Sequence, residues 1–423
     1  MSAALPSYDE AASIVSARAA DLAPRSIRSP HIERIELSLA LGRILAQPLH
    51  ADTDQPPFAR STRDGFACRA SEASAHKFLQ LAGASRAGDP PAGPLPKGQA
   101  WEIMTGAPIP PGADAVLMVE HVETTGNTVR LLPPRTIKPG ENIVEQGAQA
   151  RKGDELLGVG SAIHAAQIAV AATCGYTALD VFRKPRVAIL TTGDELVPIG
   201  TSPAPGQIRN SNAPMLAALV TAAGAEPWVL PTVADNAEAL DTALAEAVAA
   251  DMLLISGGVS AGKFDLVEPA LSRMGARFQF TGVRIQPGKP LVFGELPAST
   301  AGVENAPKCF FGLPGNPVSS AVTFLLFAAP ILGALSGAHD SGPRFALAHL
   351  AAEAGKPGKS DLTRFLPAFC TFSASAGQLP QVELVPWAGS GDLAALARSN
   401  CFLVVPEEAG RFEAGSIVRI LLH

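Results

Sequence analysis

The sequence predicts a multidomain chain of α/β plus β class, and three observations carry that expectation. At 423 residues the chain has length for about two to four domains of ordinary size. Its 39 glycines and 37 prolines are too many for a helical bundle or coiled coil, so turns must be frequent. The rhythm of the apolar runs also changes along the chain: short runs between turn residues, then strand–helix alternation, then short runs again.

Residues 7–22 read as a helix. Ser7 is placed to N-cap it, Glu10 completes a capping box, and Ala11, Ile14, Val15 and Leu22 share one face before Pro24 stops it. A second helix is expected over residues 37–45. From 51 to 150, short apolar runs at 115–119, 128–132 and 143–144 alternate with Gly/Pro turns and predict a small β-rich domain. The Gly/Pro-rich stretch 83–98 reads as a surface loop. A short helix is expected over 165–174, closed by Gly175.

Strands are then expected at 186–190, 227–233 and 252–255. Helices are expected from Asn212 (as cap, with Pro214 in the first turn) to Gly224, over 237–249, and over 266–274. Strand–helix alternation of this kind predicts parallel pairing with right-handed crossovers. Residues 342–423 return to short apolar runs and turns, as expected of a second β domain. The implied division is 1–50 with 151–182, then 51–150, 183–338 and 339–423.

Composition narrows function. A net charge of −6 gives no global field for nucleic acid, so an anionic ligand must be met locally. Five dispersed cysteines without a C-x-x-C pair indicate neither a disulfide framework nor a structural zinc. The eight histidines show no ligand spacing. No signal peptide or membrane span reads out, so a soluble, cytoplasmic protein without membrane or nucleic-acid partners is expected.

In open α/β sheets ligands bind beyond the carboxyl ends of the strands. Three segments reach that edge. Thr191-Thr192-Gly193-Asp194-Glu195-Leu196 crowds two hydroxyls and two carboxylates into one turn, and reads equally as a site or a helix cap. Ser256-Gly257-Gly258-Val259-Ser260-Ala261-Gly262-Lys263-Phe264-Asp265 has the bare backbone that lets N–H groups converge on an anion, though a tight strand–helix turn has the same texture. Asp265 beside a phosphate calls for a cation, since like charges about 4 Å apart repel by roughly 4 kcal/mol at an effective dielectric of about 20. A bridging Mg²⁺ reverses that sign. No Walker A pattern is present. The third is the pair Pro287-Gly288-Lys289-Pro290 and Leu313-Pro314-Gly315-Asn316-Pro317, stiff turns of which the first presents a lysine and the second leads with Pro317 into a helix over 318–326.

Further pieces complete an ordered series: Ser7-Tyr8-Asp9-Glu10-Ala11, Asp64-Gly65-Phe66-Ala67, Met104-Thr105-Gly106-Ala107-Pro108, Pro139-Gly140-Glu141-Asn142-Ile143 and Ser390-Gly391-Asp392-Leu393. Taken in order with the three rim segments, they resemble the molybdopterin molybdenumtransferase family, to which the E domain of gephyrin is related, over nearly the whole chain. The resemblance implies an elongated chain whose central three-layer α/β domain binds molybdopterin. It implies a transferase that converts adenylylated molybdopterin and molybdate into molybdenum cofactor and AMP with Mg²⁺, working as a homodimer with a shared active site. A molybdopterin adenylyltransferase and downstream cofactor-maturation enzymes are its implied partners.

By the same resemblance Asp64, Thr105, Glu195, Asp235 and Asp265 are catalytic, with Asp265 and Glu195 at the metal and Asp64 and Thr105 facing the other subunit's site. Thr192, Ser211, Asn212, Ser256, Gly257, Gly258, Ser260, Lys289, Pro314, Gly315, Pro317, Lys359, Arg364 and Ser390 are implied to bind substrate, Lys289 and Ser390 holding molybdate. The chain departs from the family pattern at Gln149, Gln286 and Lys359. A non-catalytic scaffold or carrier in cofactor assembly is the alternative expectation. A nucleotide hydrolase built on the Gly-rich loop is a third, but it leaves the Asp64 and Thr105 segments without a use.

Overall fold

The computed structural model describes residues 4–22, 32–258, 266–297, 307–355, 360–372, 377–407 and 409–423. The first helix, Tyr8–Leu22, starts at the expected capping box: Ser7 Oγ accepts from Glu10 N at 3.2 Å, and Glu10 Oε2 accepts from Ser7 N at 2.7 Å. Its buried face, Tyr8, Ala11, Val15, Ala19 and Leu22, packs into the core of the central α/β layer and against the helix Ala329–Leu335.

The helix expected over residues 37–45 does not form. Only a 3-10 turn, Leu37–Leu39, is present. Gly42 at φ +74° breaks the run, and the N–H groups of Gly42 and Leu45 donate to Ile163 and Ser161 carbonyls rather than within a helix. Tertiary pairing overrides a modest local propensity here.

The first β region is a six-stranded sheet in the order Ala115–Met118, Gly65–Cys68, Gln99–Ile103, Leu79–Ser85, Thr128–Leu131, Val122–Thr125. The start of the stretch expected as loop, residues 83–85, belongs to the strand Leu79–Ser85.

The central sheet has the order Glu226–Val229, Arg186–Thr191, Met252–Ser256, Lys308–Leu313, Val292–Leu296, Arg277–Phe280. Alternate residues of its strands enter two separate cores: Val187, Ile189, Met252 and Leu254 on one face, Ala188, Leu190, Leu253 and Ile255 on the other. Both faces are therefore covered by helices, which makes three layers. The expected parallel pairing holds for the first three strands, and Lys308–Leu313 continues it. The last two, which the sequence reading did not name as strands, pair antiparallel: only residues 281–291 and 297–307 connect them in the chain, fewer than the dozen or more a parallel crossover needs.

The helix that follows Pro317 runs to Leu335, with a π-helical segment Phe324–Ala328. It is long and apolar enough to cross a membrane, but 78% of its apolar window is buried inside the fold.

The C-terminal sheet orders Thr363–Thr371, Gln381–Leu384, Phe345–Leu350, Ile417–Leu422 and Cys401–Val405, and Thr363–Thr371 also pairs with Cys401–Val405. These five strands thus close on themselves as a barrel, which leaves no free edge among them. A sixth strand, Ile285–Gln286, comes from the α/β stretch and lies parallel to Thr363 and Arg364.

Candidate active site

Three parallel strands end level. Thr191 is opposite Ser256, and Ser256 is opposite Leu313. The segments that leave them therefore meet at one rim, as the ordering of strands in an open α/β sheet requires. Side chains tie the rim together. Asn212 Nδ2 donates to Ser256 Oγ at 2.9 Å and to the Gly315 carbonyl at 2.7 Å. Asn210 Nδ2 donates to Thr191 Oγ1 at 2.8 Å and Thr232 Oγ1 at 3.0 Å, while its Oδ1 accepts from Ala213 N at 3.1 Å. The capping role expected of Asn212 thus falls to Asn210, because Asn212 is used to bridge two strand ends.

Glycine is required at two rim positions. At Gly257, φ is +96° and a Cβ would stand 2.4 Å from the Thr192 carbonyl oxygen. At Gly193 the constraint is the backbone, with φ at +148°; a Cβ there would also displace the flexible Glu195 carboxylate, 2.7 Å away, from its place over the turn.

The rim opens into a cleft of about 1470 Å³. That exceeds the roughly 300–1,000 Å³ of ordinary small-molecule sites and leaves room for a ligand of more than one part. Its other wall comes from the Pro287-Gly288-Lys289-Pro290 turn and from the C-terminal barrel, through Arg364, Trp387 and Ser390. The cleft gathers Thr192, Glu195, Ser211, Asn212, Asp235, Ser256, Gly257, Gly258, Lys289, Pro314, Gly315, Pro317, Arg364 and Ser390 from the sequence expectation. Asp64 and Thr105 do not line it; they lie in the first β region, where Asp64 Oδ1 accepts from Thr105 N at 2.7 Å and Oγ1 at 2.8 Å. Those bonds hold the Asp64 carboxyl below the usual range. Ser260, Asp265 and Lys359 lie outside the described residues.

The cleft carries charges of both signs. Glu195 and Asp235 stand at the end served by the strands Arg186–Thr191 and Glu226–Val229, with Arg209 on the ribbon that follows Glu195, and Lys289 and Arg364 stand at the barrel side. Burial pushes the Asp235 carboxyl up, helped by the nearby Asp194 and Glu195 charges; the Asp194 N–H and the Thr192 hydroxyl act against the rise. Arg364 is only 7% exposed. Its Nη2 donates to the Ala409 and Gly410 carbonyls at 3.0 and 3.2 Å, which fixes the guanidinium without neutralising it, and its Nε is without a hydrogen-bond partner among the described residues. With Arg209 also on the wall, described cations outnumber described anions in the cleft of a chain that is net acidic. The arrangement suits a polyanionic ligand that brings a cation of its own to the acidic end.

Arg209, Asn210 and Trp387 were not singled out by the sequence reading. Asn210 gave a signal of a kind, as part of the polar run Arg209-Asn210-Ser211-Asn212 ahead of a helix. Trp387 stands next to a Gly-Ser-Gly loop, and only the barrel closure brings it to the cleft.

Comparison with known proteins covers most of the chain. Residues 6–175 match the family model described as MoeA N-terminal region (domain I and II), 188–334 the probable molybdopterin binding domain, and 351–423 the MoeA C-terminal region (domain IV). A Nostoc protein named molybdopterin molybdenumtransferase is 38% identical over 79% of this chain and 75% of its own length. One of the same name from Haemophilus influenzae is 34% identical over 92% and 93%, and one from Bacillus subtilis is 34% identical over 92% and 89%. The crystal structure of the molybdopterin biosynthesis moeA protein from Pyrococcus horikoshii superposes with a TM-score of 0.78 at 27% identity, covering 99% of this chain and all of that one.

Proposed function

The chain belongs to the molybdopterin molybdenumtransferase family, and from that premise we propose that it inserts molybdate into adenylylated molybdopterin, releasing AMP and yielding molybdenum cofactor. The observation that carries the reading is the single cleft that places the bare Gly257-Gly258 backbone and two carboxylates at one end and Lys289, Arg364 and Ser390 at the other. Two oxyanions that repel each other can be held there at once, the adenylate phosphates toward the glycines and molybdate toward the cations.

The residues do the following. Gly257 and Gly258 let phosphate approach the strand end without a side chain between them. Lys289 and Arg364 neutralise molybdate, and the Ser390 hydroxyl donates to it. Asn212 locks the two strand ends against each other so that both sites keep their separation. Water adds to the AMP phosphorus as its bond to the bridging oxygen of the pterin phosphate breaks; one molybdate oxide leaves as water, taking the two dithiolene thiol protons, as the two sulfurs bind molybdenum. The protein's own share is position and charge compensation.

Mg²⁺ fits the donor set: Glu195, Asp235, the Thr192 hydroxyl beside Asp235, and Asn212 Oδ1, which has no hydrogen-bond partner among the described residues, are all hard oxygen donors. No ready-made cluster of three ligating side chains exists among the described residues, as is normal for an ion that binds one or two carboxylates plus substrate phosphates. Glu195, with Asp265, would hold it, and it would supply neutralisation of phosphate charge.

The remaining expectations join the proposal: a homodimer in which Asp64 and Thr105 complete the partner's cleft, a cytoplasmic setting, handover partners on either side of the reaction, and the division of the chain at residues 51–150, 183–338 and 339–423. The test supplies purified protein with adenylylated molybdopterin, molybdate and Mg²⁺, and follows AMP release and activation of an apo-molybdoenzyme. AMP release above a no-protein control is expected; none would favour a scaffold. Asp265→Ala should abolish Mg²⁺-dependent release while the chain stays folded, and full activity in that variant would remove Asp265 from the metal role. A monomeric mass at full activity would reject the shared site.

A further inference from the structure

We infer that Asp194 is a positioning residue: its carboxylate holds the loop that carries Asp235 against the loop that carries Glu195, and so sets the separation of the two carboxylates at the acidic end of the cleft. The inference deepens the proposed function and rests on it. The strands Arg186–Thr191 and Glu226–Val229 are parallel neighbours, and their chains stay zipped beyond the regular pairing. Leu230 N donates to Ile189 O at 3.0 Å, Val233 N to Thr191 O at 2.9 Å, and Gly193 N to Val233 O at 3.3 Å, with a bridge between Thr192 and Val233. The next bond in the series runs from Asp235 N to Asp194 Oδ1 at 3.0 Å. Here the carbonyls have run out of register and a side-chain oxygen takes over.

Asp235 then stands between this bond and the start of the helix Ala237–Ala247, whose cap, Asn236, accepts from Ala239 N at 2.8 Å. Its backbone is thus fixed on both sides, once by Asp194 and once by the helix. Asp194 itself is exposed and does not line the cleft, whereas Asp235 and Glu195 do. Asp194 reaches the chemistry from behind the cleft wall, first through the backbone it holds. The Asp194 charge and N–H also act on the Asp235 carboxyl, as closeness of the two residues requires.

The experiment is a double-mutant cycle read by steady-state AMP release, with melting temperatures measured alongside. Asp194→Ala should lower kcat about tenfold with KM for adenylylated molybdopterin changed less, since small misplacements of reacting groups act on the transition state. Asp194→Asn should stay within about twofold of wild type, because a carboxamide oxygen accepts the same bond. In an Asp235→Asn background, which keeps the backbone N–H, Asp194→Ala should add less than about twofold, the mark of two residues acting as one unit. Equal impairment of Asp194→Asn and Asp194→Ala, or full multiplication of the two losses, overturns the inference. An active wild type with an unimpaired Asp194→Ala sinks the inference alone. A wild type that releases no AMP sinks the proposed function instead.

Discussion

Replacing Gly257 by alanine tests whether the rim is held as described. The new Cβ would stand 2.4 Å from the Thr192 carbonyl oxygen, at a backbone φ of +96°. That oxygen has little freedom to drift. The Thr192 N–H donates to Ser256 O at 3.0 Å, the Gly193 N–H to Val233 O at 3.3 Å, and Gly257 N itself to Leu313 O at 3.3 Å. Backbone strain of about 1–3 kcal/mol and overpacking of about 1–3 kcal/mol both apply, for a destabilisation of about 3 kcal/mol. Gly224→Ala is the matched control: φ is +83° with nothing within 4 Å, so strain acts alone at about 1 kcal/mol. At about 2–4 °C per kcal/mol for a unit of this size, melting temperature should fall roughly 6–12 °C for Gly257→Ala and 2–4 °C for Gly224→Ala. Thermal unfolding by circular dichroism measures both, and AMP release is read below the transition. Equal losses in the two variants would refute the reasoning, because they would leave no contribution from the contact with Thr192.

Further outcomes follow from other parts of the molecule. Lys289→Ala should raise the molybdate concentration needed for half-maximal turnover by roughly tenfold, the value of about one charge-assisted hydrogen bond; an unchanged requirement rejects its anion role. Arg18 and Glu295 form an ion pair whose side chains are 14% and 13% exposed. Arg18→Ala leaves the carboxylate buried and should destabilise by about 3 kcal/mol in urea unfolding, whereas a loss near zero would mean that Glu295 finds water. The Asp392 carboxyl is held below the usual range by the N–H groups of Ala388 and Ala395. A carboxylate depressed in the folded state stabilises above its unfolded pKa and loses that contribution as pH falls through its folded value. The melting-temperature gap between wild type and Asp392→Asn should therefore be full at neutral pH and close in acid; a gap constant with pH contradicts the assignment. All five cysteines are buried, and burial pushes the thiols of Cys68 and Cys401 up to about 12 and that of Cys309 to about 11. Ellman's reagent should leave the native protein almost unlabelled at mildly alkaline pH and react with five thiols once it is unfolded; fast labelling of native protein would show that the cysteine sites open readily.

Local signals carried much of the fold. The Ser7–Glu10 capping box, the Pro317 helix start and the apolar runs of the central strands each depend on neighbours a few residues away, and the structure has them. What the sequence hid depends on distant partners. The stretch 37–45 reads as helix, but the N–H groups of Leu37, Gly42 and Leu45 find carbonyls more than a hundred residues on. The antiparallel turn of the last two central strands rests on connection length, and the closure of the C-terminal barrel on register between strands far apart in sequence. The site followed the same division. Motifs next to strand ends were legible because chain order places them at the rim. Arg209 and Trp387, whose importance comes only from what the fold brings opposite them, were not.

The two-residue strand Ile285–Gln286 has a consequence for how the cleft can be loaded. It belongs by sequence to the α/β layer but is stitched to Thr363 and Arg364 of the barrel. Lys289 and Arg364 are consequently anchored to a common seam, and swinging the barrel aside would tear that seam before it widened the mouth. The short ribbon of Leu196–Val197 and Ile208–Arg209 instead follows the turn that carries Glu195, whose carbonyl accepts from Ile208 N at 2.8 Å, and Ile208 is 56% exposed. The bank that carries Lys289 and Arg364 is thereby held by both the α/β layer and the barrel at once.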